Sequence, residues 1–560
     1  MRLLLQGAYE VGRHPLGYEV DEVRAGVDWL VANRPPGTPV GLVGQGEGGM
    51  VALHASALDA RVDATWIGGC FGPRESSWNE PIDRNLWSYL RNFGAAEVAS
   101  LTAPRALLIE ACLGPEVDGP RPPRNGRADA ASGSLTTPKV EAVRAEFARL
   151  IRMTEVMVQL RFQLVAEADG RGTSNANGRT FSTFADLLKL PKDENERPVG
   201  PMKVGALTDP KARQAWVVQG LQAHTQRLLQ TSELRRTALW PKLEGQSAKT
   251  WPEATASFRE RFHNDLIGKA PAPSLPANPQ SVRLFDEPRW TAYAVKLDVW
   301  ADVVASGILL WPKDLKPGER RPVVVCQHGL EGTPDALVDR KIKSVYNAYA
   351  ARLADLGYIV YVPQNPYIGV DRFRKLQRKA NPLGQSLFSV IVRQHERTLE
   401  WLSTLPNVDR DRIAFYGLSY GGKTAMRVPA ILPGYCLSIC SGDFNEWVVK
   451  TTNLDRPTSY LYTIEYDMYE FGLAEFANYA EMAALIAPRP FMVERGHLDP
   501  VAPDEWVGYE FAKVRKLYDL LGIGNRVEIG YFNQGHEIHA QASFAFLAKH
   551  LNWPRGLKEP

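Results

Sequence analysis

The sequence predicts an α/β protein whose C-terminal half is built on an eight-stranded, mostly parallel sheet with helices on both faces. Runs with helical spacing alternate with short apolar runs, which is typical of parallel strand–helix units. The apolar runs of this half are rich in Val, Ile and aromatic residues, as buried strands are. Two of them, at 290–300 and 303–312, follow each other without a helix and lead the series.

The remaining elements of this half follow in strand–helix order. The predicted strands lie at 322–326 (PVVVC), 358–362 (YIVYV), 412–416 (RIAFY), 435–441 (YCLSICS), 489–494 (RPFMVE) and 526–532 (RVEIGYF). Helices are predicted over 344–357 and 386–405, and in the second an apolar stripe is formed by Leu387, Ile391, Leu399 and Leu402.

The N-terminal part shows the same alternation on a smaller scale. A helix is predicted over 20–33, a strand at 39–43, a helix from about 48, and strands at 62–68 and 105–111. A stretch rich in Pro, Gly, Arg and Ser follows at 114–138, and a second Pro-rich joint lies at 271–279. Between them the pattern is helical and polar. We therefore expect a partial α/β domain over 1–138, a helical spacer or cover over 139–280, and the main α/β domain over 281–560.

Composition narrows the classes of function. The 66 Lys and Arg against 63 Asp and Glu leave a formal net charge of +3, which gives no reason to expect nucleic acid or an anionic membrane as partner. No window of about 18 apolar residues predicts a membrane span. The five cysteines lack metal-ligand spacing and are expected to be thiols, so neither a disulfide scaffold, a metal nor a cofactor is predicted.

The first residues, MRLLLQGAYEVGRHP, are too quickly interrupted by charge to be a signal peptide. A natural start further upstream stays open, and the sequence leaves the location of the protein undetermined.

A nucleophile motif lies at the end of the strand 412–416. Gly417-Leu418-Ser419-Tyr420-Gly421-Gly422 has the pattern G-x-S-x-G, with a strand before it and a helix-compatible run after it. A sharp strand-to-helix turn strains the serine backbone, and glycines two residues before and after it avoid clashes. A glycine-rich turn without chemistry is the alternative. The context favours Ser419 as a nucleophile at the carboxyl edge of the sheet.

Two amides are candidates for an oxyanion hole. In such a site one amide follows the nucleophile and another lies in the loop after an earlier strand. Tyr420 is expected to supply the first, and Leu330, in Gln327-His328-Gly329-Leu330-Glu331-Gly332, the second.

The base and the acid are expected after the last two strands. His536 follows the strand 526–532, while His539 falls where the last helix should begin. Asp499 lies in the loop after the strand 489–494, with Glu494 at the strand end as the alternative acid and Asp504 as a helix cap. The chain order Ser419, Asp499, His536 is the order of α/β-hydrolase triads.

With these motifs, residues 281–554 resemble the dienelactone hydrolase-like and acetyl xylan esterase branch of the α/β-hydrolase superfamily. The resemblance implies Ser419 as nucleophile, Asp499 as acid, His536 as base, and the Leu330 and Tyr420 amides as oxyanion donors. Dienelactone hydrolases themselves use a cysteine nucleophile. The serine here departs from that pattern and favours ordinary ester hydrolysis.

The N-terminal part contains a second copy of the elbow pattern without a nucleophile. In Gly44-Gln45-Gly46-Glu47-Gly48-Gly49, Gly46 aligns with Ser419, and the downstream Ala103-Pro104-Arg105 resembles Ala487-Pro488-Arg489. This indicates a degenerate hydrolase-like domain, because glycine offers no side-chain nucleophile. A phosphate-binding loop is disfavoured, since the spacing departs from G-x-G-x-x-G. With only one helix predicted before its elbow strand, the domain also looks incomplete, and an uncovered sheet edge would favour a homo-oligomer or docking.

The expected function is hydrolysis of acetyl or other short-acyl esters, of small molecules or carbohydrates, through an acyl-enzyme. The Ser-Tyr-Gly-Gly turn is also similar to that of prolyl oligopeptidases, which leaves a peptidase as one alternative. A non-catalytic binding protein is another. Two interpretations stay open for the segment 443–447 and the tyrosines Tyr460, Tyr462 and Tyr466. Either they line a substrate pocket, or they pack in a lid or in the core.

Overall fold

The computed structural model describes residues 2–119, 133–156, 160–166, 178–190, 209–463 and 468–553. The chain forms two compact units. Unit 1 comprises Met1–Ala8, Arg13–Gln226 and Arg378–Gly384, and unit 2 comprises Tyr9–Gly12, Arg227–Gln377 and Gln385–Pro560. The limits of these units do not coincide with the predicted boundaries at 138 and 280.

The strands, in chain order, are β1 (Gly41–Gln45), β2 (Ala64–Gly68), β3 (Ala106–Glu110), β4 (Phe162–Val165), β5 (Gln280–Asp286), β6 (Trp290–Trp300), β7 (Val303–Pro312), β8 (Arg321–Gln327), β9 (Ile359–Gln364), β10 (Val408–Leu418), β11 (Leu437–Ser441), β12 (Phe491–Gly496) and β13 (Val527–Phe532).

The α-helices are α1 (Arg2–Glu10), α2 (Pro15–Asn33), α3 (Glu47–Leu58), α4 (Tyr89–Asn92), α5 (Ala95–Ser100), α6 (Val140–Thr154), α7 (Gly178–Leu187), α8 (Pro210–Leu239), α9 (Trp251–Ala254), α10 (Ala256–Arg261), α11 (Asp335–Val338), α12 (Tyr349–Asp355), α13 (Asp371–Ala380), α14 (Leu387–Thr404), α15 (Tyr420–Ile431), α16 (Trp447–Thr452), α17 (Leu473–Phe476), α18 (Tyr479–Ile486), α19 (Asp504–Leu520) and α20 (Gln541–Leu551). A π-helical segment, Phe262–Gly268, follows α10.

Unit 2 has an α/β-hydrolase fold on a sheet of order β13-β12-β11-β10-β8-β9-β7-β6-β5. The strands from β13 to β9 in this order are parallel, and β7, β6 and β5 continue antiparallel. Strands β8, β11 and β12 are buried along their whole length. This burial explains why their sequences are continuous apolar runs rather than alternating ones.

The sheet has nine strands rather than the predicted eight. The additional strand is β5, which lies at the edge and is exposed along most of its length, with Val282 67% exposed. An exposed edge strand buries neither face fully, so its sequence, QSVRLFD, lacks the apolar pattern by which the other strands were predicted.

Unit 1 contains a smaller, entirely parallel sheet of order β1-β2-β3-β4. Its first three strands and the helices α2 and α3 agree with the predicted elements. The segment 139–280, predicted as helical, contributes β4 to this sheet. Leu160, Phe162 and Leu164 alternate with Arg161 and Gln163, which is the pattern of a strand, so the helical prediction for this segment was wrong at β4.

Helix α14 lies where the sequence predicts it, and it buries Leu387, Ile391 and Leu402. The helix predicted over 344–357 is shorter: α12 begins only at Tyr349. Asn347 and Ala348 have left-handed backbone conformations (φ 51° and 46°), which end any helix before them. Residues 344–348 therefore form a loop.

Among the described residues, no helix is both long and apolar enough to cross a membrane. All five cysteines are free thiols; Cys112, Cys326 and Cys440 are buried, while Cys70 and Cys436 are partly exposed.

Candidate active site

The sequence-predicted site residues of unit 2 lie in loops at one edge of its sheet. Strands β8, β10, β11, β12 and β13 are neighbours and run parallel, so the loops after them share the carboxyl edge. In open α/β sheets this edge is where ligands bind. Ser419 follows β10, and Asp499 and His536 follow β12 and β13.

Ser419 occupies a strained turn between β10 and α15. Its backbone has φ 61° and ψ −124°, and its amide donates to the Ser441 carbonyl at 2.9 Å. A Cβ on Gly417 would overlap the Gly421 carbonyl, and one on Gly421 would overlap the carbonyl of Gln327. Both positions therefore require glycine, which accounts for the G-x-S-x-G pattern.

His536 and Asp499 form a hydrogen-bonded pair. The distance between His536 Nδ1 and Asp499 Oδ2 is 2.8 Å. Asp499 is 4% exposed; its Oδ1 accepts the Val501 amide at 2.9 Å, and the Arg495 guanidinium lies 3.4 Å from Oδ2. A buried carboxylate held in this way fixes the orientation of the histidine ring.

Gly442 joins this pair to the serine turn. A Cβ on Gly442 would lie 3.0 Å from His536 Cε1 and 2.8 Å from Leu418 Cδ1. Its neighbour Ser441 accepts the Ser419 amide. The imidazole of His536 therefore lies against Gly442, and the close approach, together with a φ of 62°, requires glycine at 442.

Glu494, the alternative acid, is engaged elsewhere. It is 1% exposed, and its carboxylate accepts hydrogen bonds from the Tyr416 hydroxyl at 2.6 Å, the Ser441 hydroxyl at 2.8 Å, the Ala540 amide at 2.8 Å and the Ser543 hydroxyl. These contacts tie the end of β12 to β10, β11 and the start of α20. The geometry gives Glu494 a structural position.

His539 and Asp504, which also lie near the predicted base and acid in the sequence, make contacts with other residues. The ring of His539 stacks on Phe532 with centroids 4.8 Å apart. Asp504 is the first residue of α19 rather than its cap, which is Pro503, and it pairs with Arg495 at 2.9 Å and with His497 at 2.5 Å.

The loop after β8, which carries Leu330, passes close to the nucleophile. A Cβ on Gly329 would lie 2.9 Å from Ser419 Cβ. Burial lowers the pKa of His328 to about 4, so this histidine is a neutral structural residue at neutral pH. The Glu331 amide donates to the Tyr367 carbonyl at 3.0 Å, and the Glu331 carboxylate accepts two amides, which anchor the loop. Within the described part of the chain, no backbone hydrogen bond uses the Leu330 amide.

Tyr420 begins helix α15, so its amide belongs to the first turn, whose N–H groups reach no carbonyl of the helix itself. This amide and the positive end of the helix dipole favour negative charge beside Ser419.

The segment after β11 packs against the same region. Asp443 is buried, accepts the Tyr479 hydroxyl at 2.5 Å, and burial raises its pKa to about 6. Trp447 is fully buried and stacks on Tyr479 at 5.2 Å, with Tyr460 5.6 Å away.

Tyr462 is 50% exposed and donates to the Leu454 carbonyl, and Tyr466 lies outside the described residues. Lys450 is 4% exposed, lies over the Tyr460 ring at 4.7 Å, and burial lowers its pKa to about 8. A substrate pocket lined by the segment 443–447 and these tyrosines stays a prediction.

The elbow of unit 1 has the same backbone conformation as the Ser419 turn. Gly46 has φ 55° and ψ −119°, and its amide donates to the Gly68 carbonyl at 2.8 Å, as Ser419 donates to Ser441. The residues after these two acceptors also correspond. The Gly69 amide donates to the Glu110 carbonyl, and the Gly442 amide donates to the Glu494 carbonyl, each at 3.2 Å.

The arginine that follows the Ala-Pro dipeptide makes equivalent contacts in both units. Arg105 donates to the carbonyls of Ser56, Asp59, Val62 and Leu101. Arg489 donates to those of Pro429, Leu432, Tyr435 and Leu485. The spacing of these acceptors is the same in both units. Measured from Gly46, the intervals to Ser56, Asp59 and Val62 equal those from Ser419 to Pro429, Leu432 and Tyr435.

In unit 1 the space beside the elbow is filled. A Cβ on Gly46 would overlap the ring of Pro115. Pro115 stands five residues after Glu110, as Asp499 stands five after Glu494. A proline therefore stands at the position that corresponds to Asp499, and its ring occupies the space that a side chain at 46 would need.

The described residues contain no group of three or more His, Cys, Asp and Glu side chains that could hold a metal ion.

No protein-family profile matches the chain. It is 25% identical over 281 residues to a Bacillus subtilis (strain 168) protein described as "Putative hydrolase YtaP", and the match covers 48% of this chain and 90% of that protein. Two similar solved structures are a glucuronoyl esterase from Solibacter usitatus (15% identity, 55% of this chain and 94% of that one, TM-score 0.44) and acetyl xylan esterase 1 from Thermoanaerobacterium sp. JW/SL YS485 (14% identity, 54% and 94%, TM-score 0.36).

Proposed function

We propose that the protein is a serine carboxylic-ester hydrolase that acts through an acyl-enzyme on acetyl or other short-acyl esters. The observation that supports the proposal is the hydrogen-bonded pair of His536 and Asp499, whose imidazole lies against Gly442, the residue after the Ser441 carbonyl that accepts the Ser419 amide. The similarity to a Bacillus subtilis protein described as a putative hydrolase is consistent with the proposal.

In the proposed reaction, His536 takes the Ser419 hydroxyl proton as the oxygen attacks the ester carbonyl. The carbonyl oxygen becomes an oxyanion, which the amides of Leu330 and Tyr420 stabilise. The intermediate collapses, the ester C–O bond breaks, and His536 returns the proton to the departing alcohol. Water then attacks the acyl-enzyme in the same way, releasing the acid and Ser419. Asp499 orients the imidazole and stabilises its charged form.

The test is hydrolysis of a chromogenic acetate ester by the wild-type protein and by Ser419→Ala. We expect the substitution to lower kcat to near the uncatalysed rate without loss of thermal stability, because no nucleophile remains. Full activity in Ser419→Ala would contradict the proposal. An ester panel that includes acetylated xylan, with aminoacyl-prolyl amides beside it, would define the substrate and separate an esterase from a peptidase.

We also propose that unit 1 is a partial, non-catalytic copy of the elbow half of the hydrolase sheet. Strands β1 to β4 follow one another in order, as β10 to β13 do, and the elbow and arginine contacts agree residue by residue. Gly46 and Pro115 stand at the positions of the nucleophile and the acid, so this copy has neither group.

A further inference from the structure

The loop 344–348, which the sequence predicts as helix, connects two of the catalytic loops. On one side, Tyr346 Oη accepts the Gly329 amide hydrogen at 2.7 Å in the loop after β8. On the other, the Val345 carbonyl accepts the Ile538 amide at 2.8 Å, and Asn347 Nδ2 donates to the Ile538 carbonyl at 2.8 Å. Ile538 stands two residues after His536.

The backbone of this loop is strained where it makes these contacts. Asn347 and Ala348 are consecutive non-glycine residues with φ of 51° and 46°. Such conformations are unfavourable for residues that carry a Cβ, and they persist only where the surroundings impose them. The strain turns the chain so that Tyr346 projects towards the loop after β8, rather than continuing the helix.

The Tyr346 hydroxyl and Ser419 both approach Gly329. A Cβ placed on Gly329 would lie 3.2 Å from Tyr346 Oη and 2.9 Å from Ser419 Cβ. The side chain is 7% exposed, and burial raises the pKa of its phenol, which is therefore protonated at neutral pH. A hydroxyl has one donor and two acceptor positions. Since the oxygen accepts from Gly329, the O–H hydrogen is left for another acceptor.

We propose that the Tyr346 hydroxyl donates a third hydrogen bond to the oxyanion, beside the amides of Leu330 and Tyr420. This inference rests on the proposed esterase function. No proton is transferred: the phenol O–H stays intact while its bond to the carbonyl oxygen strengthens as negative charge develops. Such a donor stabilises the transition state more than the bound ester, so it raises kcat with little effect on KM.

The experiment compares Tyr346→Phe with Tyr358→Phe on the same acetate ester. Tyr358 is a suitable control because it is 1% exposed and its hydroxyl bonds to the Trp553 carbonyl, at neither the nucleophile nor the oxyanion loop. We expect Tyr346→Phe to lower kcat by ~100-fold with KM within about twofold, and Tyr358→Phe to leave both near the wild-type values. A kcat for Tyr346→Phe within threefold of the Tyr358→Phe value would overturn the inference.

Binding of a boronic acid, which forms a tetrahedral adduct with a catalytic serine, gives a second measurement. The Ki of phenylboronic acid should rise in Tyr346→Phe about as much as kcat falls, and an unchanged Ki would argue against a donor role. If Tyr346→Phe does not fold, 3-fluorotyrosine at 346 keeps the ring and makes the O–H a stronger donor. The Ki should then fall, and a Ki equal to that of the wild type would also contradict the inference.

These outcomes are distinct from failure of the proposed function. If wild-type protein neither hydrolyses esters nor binds the boronic acid, the esterase proposal fails and this inference fails with it. If the wild type does both and Tyr346→Phe does both equally well, only the role of Tyr346 is refuted.

Discussion

Two buried carboxylates lie close together in the chain, Glu494 in strand β12 and Asp499 in the loop after it, and their contacts differ. Asp499 holds His536 Nδ1 at 2.8 Å, whereas Glu494 receives hydroxyl and amide donors from the neighbouring elements. A carboxylate that orients an imidazole affects the rate of reaction, while one that joins strands affects stability.

Asp499→Asn should therefore lower kcat by ~10⁴-fold with KM little changed, because the amide stabilises the wrong tautomer of the imidazole. Glu494→Gln should lower the free energy of unfolding by roughly 1–3 kcal/mol and leave kcat within a few-fold of wild type. Steady-state kinetics and urea unfolding of the two variants check both statements. The reverse pattern would assign the acid to Glu494.

The sequence singles out three candidate residues because each has a local marker: a glycine-flanked elbow for Ser419, and loops after two recognisable strands for Asp499 and His536. The choice between Asp499 and Glu494 could not be predicted, since it depends on side-chain contacts across strands β10 to β12. Tyr346 could not be predicted either, because its surroundings read as helix and its contact with Gly329 spans 17 residues of chain.

At the scale of elements, the same turn occurs twice with opposite consequences. The elbows at Gly46 and Ser419 have φ of 55° and 61° and equivalent amide contacts. In unit 2 this conformation holds Ser419, the candidate nucleophile. In unit 1 it holds a glycine beside Pro115, so any side chain there meets both backbone strain and overlap.

Gly46→Ser should therefore destabilise unit 1 by about 2 kcal/mol or more, through the unfavourable φ and the Pro115 ring. The matched control is Gly48→Ala, whose Cβ would have no atom within 4 Å and which lies in helix α3, so it should stabilise by roughly 0.5–1 kcal/mol. Chemical unfolding measures both. Equal stability of the two variants would show that the Gly46 turn is not constrained.

Three elements differ from the sequence-based prediction for different reasons. Strand β5 is exposed at an edge, β4 is a short strand within a segment predicted as helical, and the loop 344–348 follows a helical pattern that its φ angles interrupt. Elements buried on both faces, such as β8 and β11, were predicted closely, because burial dictates composition there.

At the scale of the whole molecule, the strand order of the larger sheet brings the site together. The loops after β8, β10, β11, β12 and β13 come from sequence positions 329 to 536, yet five adjacent parallel strands end at one edge. The sequence indicates which residues follow strands, but not which strands are neighbours, since adjacency depends on the packing of all helices and strands at once.

The central claim is that the chain has one reactive serine, in unit 2. The most direct measurement is treatment of the intact protein with a fluorophosphonate, followed by intact mass and peptide mapping. We predict one adduct per chain, on the peptide that contains Ser419, its absence in Ser419→Ala, and no adduct on the Gly46 peptide even in Gly46→Ser. An unlabelled wild-type protein, or labelling that persists at another residue in Ser419→Ala, would contradict the account.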